Sequence, residues 1–92
     1  MINGDYKEFI DKLYYGEELL FEFDGNDYFI QGWTEDNEAK MVLDVYSGNI
    51  FTGYLWECTK DTMRECANEF LHAELWDGKC FQTIQNEVTW KE

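Results

Sequence analysis

The first apolar pattern in the chain predicts an N-terminal helix over residues 5–15. Apolar residues recur there every three or four positions, which is the spacing of one face of an α-helix. Asp5 can accept hydrogen bonds from the first turn, with Glu8 three residues later as in a capping box, and Gly16 can adopt the left-handed conformation that ends a helix. The predicted buried face contains Tyr6, Phe9, Ile10, Leu13 and Tyr14.

From Leu19 onward, apolar and polar residues alternate, which is typical of β-strands. The sequence Asp24-Gly25-Asn26-Asp27 supplies the positive-φ residues of a tight turn and so predicts a hairpin with a return strand at 28–34. Sequential strands joined by short turns indicate an antiparallel meander, one face of which can remain in contact with solvent. Turns at Asp36-Asn37 and Ser47-Gly48-Asn49 bound a third strand at 40–46, and a fourth lies within 50–58, where Tyr54, Trp56 and Cys58 alternate with Gly53, Leu55 and Glu57.

Two more helices are predicted after the strands. We expect Thr59 to be the N-cap of the first, and Asp77-Gly78 to end it. A short third helix is expected at 80–86, after which Trp90 docks the tail. The predicted fold is therefore α+β in one domain, residues 1–92: a four-stranded antiparallel β-meander with an N-terminal helix and two C-terminal helices packed on the sheet. In the helix predicted to begin at Thr59, the apolar residues are spaced so that one face can be buried. They are Met63, Cys66, Ala67, Phe70 and Leu71.

The charge balance excludes several classes of ligand. The chain has 20 Asp and Glu against 7 Lys and Arg, a net charge of -13, so its outward field is strongly negative. Direct binding of nucleic acid is not expected, because affinity for phosphates comes from Lys and Arg, and an anionic membrane surface is disfavoured for the same reason. No apolar run is long enough to span a membrane and the N-terminus lacks a signal-peptide pattern. We expect a cytoplasmic protein whose 3 cysteines are free thiols.

The stretch from Glu17 to Glu38 contributes both strands and negative charge, since it holds eight acids and no Lys or Arg. The 7 Phe, 6 Tyr and 4 Trp of the chain are more than a small core readily buries. We expect some rings on the outer face of the sheet, with Tyr28, Trp33, Tyr46, Tyr54 and Trp56 as candidates; the alternative is that helices cover that face. Exposed rings among acids resemble the anchors of protein interfaces. The predicted partner-binding residues are Glu22, Asp24, Asp27, Tyr28, Trp33, Glu35, Asp36 and Glu38.

Catalysis is not indicated by the sequence. Carboxylate pairs follow from the density of acids alone, and no pattern predicts the cleft that would separate their pKa values. The one histidine, His72, lies six residues after Cys66. Six residues turn a helix by about 600°, which is about 120° short of two full turns, so the two side chains lie about 120° apart and are poorly placed as a nucleophile and base.

Two sets of residues are candidate metal ligands. Cys58, Cys66, His72 and Cys80 provide the three sulfurs and one imidazole that zinc accepts, but they lack the spacing of a zinc finger. Core packing is the favoured interpretation of these cysteines, because Cys66 falls on the apolar stripe and a buried free Cys behaves as a small hydrophobe. The second set, Glu65, Glu69 and His72, lies along one helix face with a Glu-x-x-His spacing; solvent exposure is its simpler explanation.

Several segments resemble small acidic proteins of phages and mobile elements in low-GC Gram-positive bacteria. They are IDKLYYGEELLFEFDGNDYFIQGW and the later WEC, EFL and WDGK. Among such proteins the chain is most similar to the anti-CRISPR proteins that inhibit type II Cas9. The resemblance implies a non-enzymatic protein that occupies a basic surface of Cas9 or blocks its loading of DNA. Some members carry a metal, which adds support to a zinc site.

Two further hypotheses stay open at this level. An immunity protein that neutralises a toxin nuclease needs the same acidic surface, because its partner is also a basic nucleic-acid-binding protein. A small zinc-binding protein would use the region around His72. Charge and aromatic content favour a protein that binds another protein, and only the resemblance selects Cas9 as the partner.

Overall fold

A computed structural model describes residues 1–92 as an α+β fold with an antiparallel sheet of five strands, not four. The strands run in the order β4-β3-β2-β1-β5 across the sheet. No helix is long and apolar enough to cross a membrane. The elements are α1 (Tyr6–Tyr14), β1 (Leu19–Phe23), β2 (Asn26–Glu35), β3 (Glu38–Ser47), β4 (Ile50–Lys60), α2 (Met63–His72), α3 (Phe81–Ile84), a 3-10 turn (Gln85–Glu87) and β5 (Thr89–Trp90).

The N-terminal helix and the first two hairpins form where the sequence predicts them. Asp5 caps α1 by accepting a hydrogen bond from the backbone N–H of Lys7 at 3.0 Å. The two-residue turns Asp24-Gly25 and Asp36-Asn37 have positive φ at all four positions. Positive φ at both central residues is the geometry of type I′ turns, whose twist matches that of the flanking strands. The two-residue turns, together with the alternation of apolar residues, set the register of β1 with β2 and of β2 with β3.

Strict alternation fails on β4, and the faces predicted there are partly wrong. Leu43 pairs with Trp56, but Asp44 pairs with Tyr54, so Leu55 is an extra residue, and a second shift follows between Val45 and Tyr46. A bulge of this kind changes the face on which later side chains lie. Trp56 and Cys58 pack toward the helices, whereas Tyr54 lies on the other side with Asp44.

The boundaries of α2 also differ from the prediction. β4 continues through Lys60, so the N-cap is Thr62 and not Thr59. Thr62 accepts a hydrogen bond from the backbone N–H of Glu65 at 3.2 Å, and its hydroxyl donates to the Glu65 carboxylate at 2.9 Å. The pair has the spacing of a capping box, but Glu65 bonds the Thr62 hydroxyl and not its backbone N–H. The helix ends at His72 with Ala73 as its C-cap. Asp77 and Gly78 do not close α2; they form a separate tight turn that brings the backbones of Trp76 and Lys79 together.

The C-terminal segment supplies the fifth strand. α3 is a single short helix of 4 residues, shorter than the predicted 80–86, and continues as the 3-10 turn. Val88 is fully buried, and Trp90 then pairs with Phe21 on β1. A strand of 2 residues is too short to show a period, so it was predicted only as a docked tail.

All the helices lie on one face of the sheet, which we call the inner face. One cluster of 18 buried residues joins the sheet to the helices. Its rings are in direct contact: Phe9 stacks on Phe81 with centroids 5.2 Å apart, and Phe21 contacts both. Gly32 lets α2 approach, since an added Cβ there would meet Met63 Sδ at 2.6 Å. The opposite face of the sheet has no helix on it.

Candidate functional site: the outer face of the sheet

The outer face consists of the side chains that alternate with the core residues on β1 to β4. Two rows cross it from strand to strand. The first row is Leu20, Phe29, Asp44 and Tyr54, and the second is Glu22, Asp27, Tyr46 and Phe51. A third row lies on the other side of the first and consists of Gln31, Val42 and Glu57. The next pairs toward the end of the β2–β3 hairpin are Trp33 with Lys40 and Glu35 with Glu38.

An aromatic cluster of Tyr46, Phe51 and Tyr54 occupies the β4 side of this face. The ring of Phe51 makes edge contacts with Tyr46 at 5.5 Å and with Tyr54 at 5.4 Å between centroids. Phe51 is 46 % exposed, Tyr54 68 % and the neighbouring Ile50 71 %. Large apolar residues clustered on an uncovered surface are typical of a binding site for another macromolecule.

Asp44 lies at the centre of the outer face and is only 7 % exposed. Phe29 and Tyr54 flank it on the neighbouring strands, and Val42 and Tyr46 flank it along β3. Its Oδ1 is buried without a hydrogen-bond partner. Burial raises the pKa of the Asp44 carboxyl above its usual range, because removing water disfavours the charged form. A buried carboxylate oxygen without a hydrogen-bond partner lowers the stability of the folded protein.

A cavity of about 290 Å³ opens on the same face, although Asp44 does not line it. Phe29 and Tyr46, which flank Asp44, both line it. The cavity thus continues the aromatic surface toward β1 and the β3–β4 turn. Its lining residues are Leu20, Asp27, Phe29, Tyr46, Gly48 and Asn49.

Two of the predicted acids on this face are partly neutralised. Glu22 and Asp27 lie directly opposite each other on β1 and β2, an arrangement that is unfavourable for like charges. Lys91 Nζ lies 3.1 Å from Asp27 Oδ1. The hydrogen bond and the negative charge of Asp27, with a smaller effect of Glu22, raise the pKa of Lys91. The C-terminal segment therefore supplies a cation that offsets part of this repulsion.

The acids at the end of the β2–β3 hairpin are not neutralised in this way. We call Glu35, Asp36 and Glu38 the hairpin tip. All three are exposed, and none takes part in the ion pairs of the structure. Trp33 lies next to them on the outer face, partly exposed, and its Nε1 donates a hydrogen bond to Glu35 Oε2 at 3.2 Å. The tip therefore presents negative charge beside an indole that a partner can reach.

The structure separates the other predicted binding residues. Tyr28 is buried in the core and stacks on Phe21 with centroids 5.2 Å apart, so the expectation that it is exposed is wrong. Trp56 is likewise packed toward the core. Asp24 is exposed in the β1–β2 turn, where it lines a different cavity with Trp76. The alternation of apolar residues along β2 places Tyr28 on the inner face with Ile30. The prediction that Tyr28 is exposed gave more weight to the amphipathic character of its ring than to this alternation.

Sequence reasoning did not identify Asp44. The signal that would have found it is its position as the one charged residue in the run Met41-Val42-Leu43-Asp44-Val45-Tyr46. Acidic charge by itself does not distinguish the outer face, because exposed acids also occur on the helical side, among them Glu8, Asp11, Glu65, Glu74 and Glu87. Exposed rings around a buried carboxylate are what sets this face apart.

The four residues of the first candidate zinc site are not gathered in one place. Cys66 is buried, with its Sγ 3.4 Å from the carbonyl oxygen of Ala39, and Cys58 donates to the Glu69 carboxylate. His72 is exposed, with Nδ1 2.8 Å from the Asn68 carbonyl oxygen. Cys80 caps α3 and lies near Thr83.

The second candidate set is engaged in other contacts. Glu65 accepts a hydrogen bond from the Thr62 hydroxyl at the start of α2, and Glu69 accepts from Cys58 and lies 3.9 Å from Lys60 Nζ. No group of three or more His, Cys, Asp or Glu side chains has an arrangement that could hold a metal ion. Zinc binding stays a prediction, which elemental analysis of protein purified without chelator can test.

The cysteines on β4 and α2 are not placed for nucleophilic catalysis. Burial raises the pKa of both Cys58 and Cys66, and the thiol form that this favours is a weak nucleophile. Hydrogen bonding to Thr83 lowers the pKa of Cys80, but His72 is occupied on another element. Only Cys58 has a carboxylate as its hydrogen-bond partner, that of Glu69, and burial together with this contact raises the pKa of the thiol.

Comparisons of the chain with protein-family models, curated proteins and solved structures found no match. Function is therefore inferred from the residues of the outer face.

Proposed function

We propose that this protein is a non-enzymatic inhibitor whose outer face binds a basic, nucleic-acid-binding protein. The observation that carries the proposal is the uncovered face of the sheet, on which Phe29, Tyr46 and Tyr54 flank Asp44, Phe51 contacts two of these rings, and the hairpin tip adds unpaired acids. The net charge of -13 supports a cationic partner, since complementary fields favour association and like charges oppose it.

Charge and rings have separate roles in this proposal. The hairpin tip attracts the partner over long range and raises the rate of association. The aromatic cluster and Trp33 supply apolar area at the centre of the interface, where truncation of large rings commonly costs more than 2 kcal/mol of binding free energy. The acids of the hairpin tip would thus speed association with the partner, and the rings would supply most of the binding free energy of a stoichiometric inhibitor.

A Cas9-type effector is the first partner we propose. Support comes from the resemblance to anti-CRISPR proteins and from the chemistry of Cas9, which holds nucleic acid in a positively charged channel. An acidic sheet face placed in that channel would compete with DNA for the same cations. Inhibition would then take the form of blocked DNA loading with no change in the effector's covalent structure.

An immunity protein against a toxin nuclease is the second candidate, favoured by the same surface. A nuclease also binds phosphates through Lys and Arg, so the outer face would fit its cleft by the same physics. The two candidates differ only in the identity of the partner.

One pair of assays tests both. The first measures DNA binding by a guide-loaded type II Cas9 in a gel-shift titration with this protein, and we expect loading to fall as the molar ratio approaches one. The second measures survival of cells that express toxin nucleases together with this protein. Protection in the second assay without an effect in the first would select the immunity candidate. The absence of an effect in both, with no partner retained from a host lysate at low salt, would contradict the proposal.

A further inference from the structure

We propose that Asp44 and the rings around it form a receptor for a single arginine side chain of the partner. This inference rests on the proposed function and deepens it, because it names the chemical group that the outer face recognises. The site is the carboxylate of Asp44 with Phe29 and Tyr54 on either side and Tyr46 next along the strand.

The fold leaves Asp44 without a cation or a donor of its own. Lys40 is on the same strand but lies opposite Trp33, and Lys91 is paired with Asp27. Neither lysine bonds to Asp44, whose Oδ1 is buried and unpartnered. A carboxylate in this state has already lost much of its hydration, so an incoming donor gains a strong interaction with little further desolvation of Asp44.

The surroundings of Asp44 favour arginine over lysine. A guanidinium is planar, more weakly hydrated than an ammonium and able to stack on aromatic faces. Its contact with a carboxylate adds charge-assisted hydrogen bonds, and its contact with the Phe29, Tyr46 or Tyr54 ring adds a cation–π interaction. A lysine ammonium would lose more hydration on entering the same apolar surface.

The surface can admit such a side chain. Tyr54 is 68 % exposed, and its ring contact is with Phe51 on the same strand. Its ring is not part of the core cluster, so a change in its position on binding would leave the core packing unchanged. The cavity of about 290 Å³ lined by Phe29 and Tyr46, the neighbours of Asp44, also contains Leu20 and Asp27, so it offers both apolar contact and a second carboxylate to an arginine side chain.

The test uses the purified chain and a small probe, so that it does not depend on the partner. Acetyl-arginine amide is titrated into isotope-labelled protein, and backbone and Asp44 carboxyl shifts are followed by NMR. We expect saturable changes at Asp44, Phe29 and Tyr54. Acetyl-lysine amide should give changes with at least several-fold weaker affinity, and acetyl-citrulline amide, which has the same shape without charge, should give none at this site.

Two variants complete the test. Asp44→Asn should weaken the arginine probe about tenfold or more, since it removes a charge-assisted contact. Asp11→Asn, an exposed acid on α1 with the same change of charge, should leave the affinity unchanged. Thermal unfolding of both variants confirms that they are folded.

The inference is overturned if the arginine probe gives no saturable change at Asp44, if lysine or citrulline binds there equally well, or if Asp44→Asn binds arginine as tightly as the native chain. These outcomes are distinct from a failure of the proposed function. If arginine binds at Asp44 but the protein affects neither Cas9 nor a nuclease, the arginine site is supported and the proposed inhibitory function is contradicted. If inhibition persists unchanged in Asp44→Asn, the inhibitory function is supported and the arginine site is contradicted.

Discussion

Asp44 on β3 lies directly opposite Tyr54 on β4, although an unbroken ladder from Leu43 and Trp56 would have set it opposite Leu55. The extra residue in β4 brings an exposed phenol next to a buried carboxylate. The same shift puts Tyr54 on the face that the helices leave uncovered. A single bulge thus creates the centre of the proposed binding surface.

Replacement of Asp44 by Asn should stabilise the protein at neutral pH. The variant removes the charge whose burial is not compensated by any partner, and we expect the free energy of unfolding to rise by about 1 kcal/mol or more. Chemical denaturation at pH 7 measures this change, with Asp11→Asn as the control. A loss of stability would show that Asp44 is held by contacts that the structure does not contain.

The stabilisation should depend on pH in a defined direction. Because burial raises the pKa of Asp44 in the folded state, the folded protein holds this proton more tightly than the unfolded chain does. The carboxyl therefore opposes folding at pH values above its raised pKa, and this effect disappears as the pH falls below its ordinary pKa. The difference between native protein and Asp44→Asn should accordingly be largest near neutrality and shrink in acid. A stability difference between the two proteins that grows in acid would contradict a raised pKa for Asp44.

Charge reversal of the hairpin tip should slow association with the partner. Replacing Glu35, Asp36 and Glu38 by Lys should lower the association rate about tenfold or more at low salt and flatten its dependence on ionic strength. Surface plasmon resonance with the partner over a salt series measures both.

The matched control replaces three exposed acids on the helical side, Asp11, Glu74 and Glu87, by Lys. The overall charge changes equally in the two triple variants, so only a local role of the tip can separate them. Equal rates for both would mean that the hairpin tip does not face the partner.

Truncation of Trp33 should act mainly on dissociation. Trp33→Ala removes a partly exposed indole next to the tip and should raise the dissociation rate about tenfold or more, with a small effect on the association rate. Tyr15→Ala is the control, because Tyr15 is 82 % exposed at the end of α1. If both variants dissociate like the native chain, the interface does not include Trp33.

Two threonines distinguish the observed start of α2 from the predicted one. Thr62→Ala should lower the free energy of unfolding by about 1 kcal/mol, because it removes the cap hydrogen bond to the Glu65 backbone. Thr59→Ala should have a smaller effect, since Thr59 is an exposed residue of β4. Urea unfolding of the two variants compares them directly, and a larger loss for Thr59→Ala would place the cap where the sequence pattern put it.

The sequence by itself determined the elements whose causes are local. Asp24-Gly25 and Asp36-Asn37 form tight turns because those residues accept positive φ, and Asp5 caps α1 because its side chain reaches the first-turn N–H groups. Alternation then orients β1 and β2, with Leu19, Phe21 and Ile30 in the core. The exposed acids of the hairpin tip follow from the same turn.

Only the tertiary structure decided what surrounds Asp44. Its neighbours Phe29 and Tyr54 come from two other strands, and Tyr54 reaches this position only through the bulge in β4, next to Gly53 with its φ of 134°. The two-residue strand β5 likewise exists because Trp90 finds a partner in Phe21 far along the chain. Alternation indicates which face of β1 and β2 the helices cover, but which rings of β4 stay exposed is settled by its pairing with β3, where the register shifts interrupt the alternation.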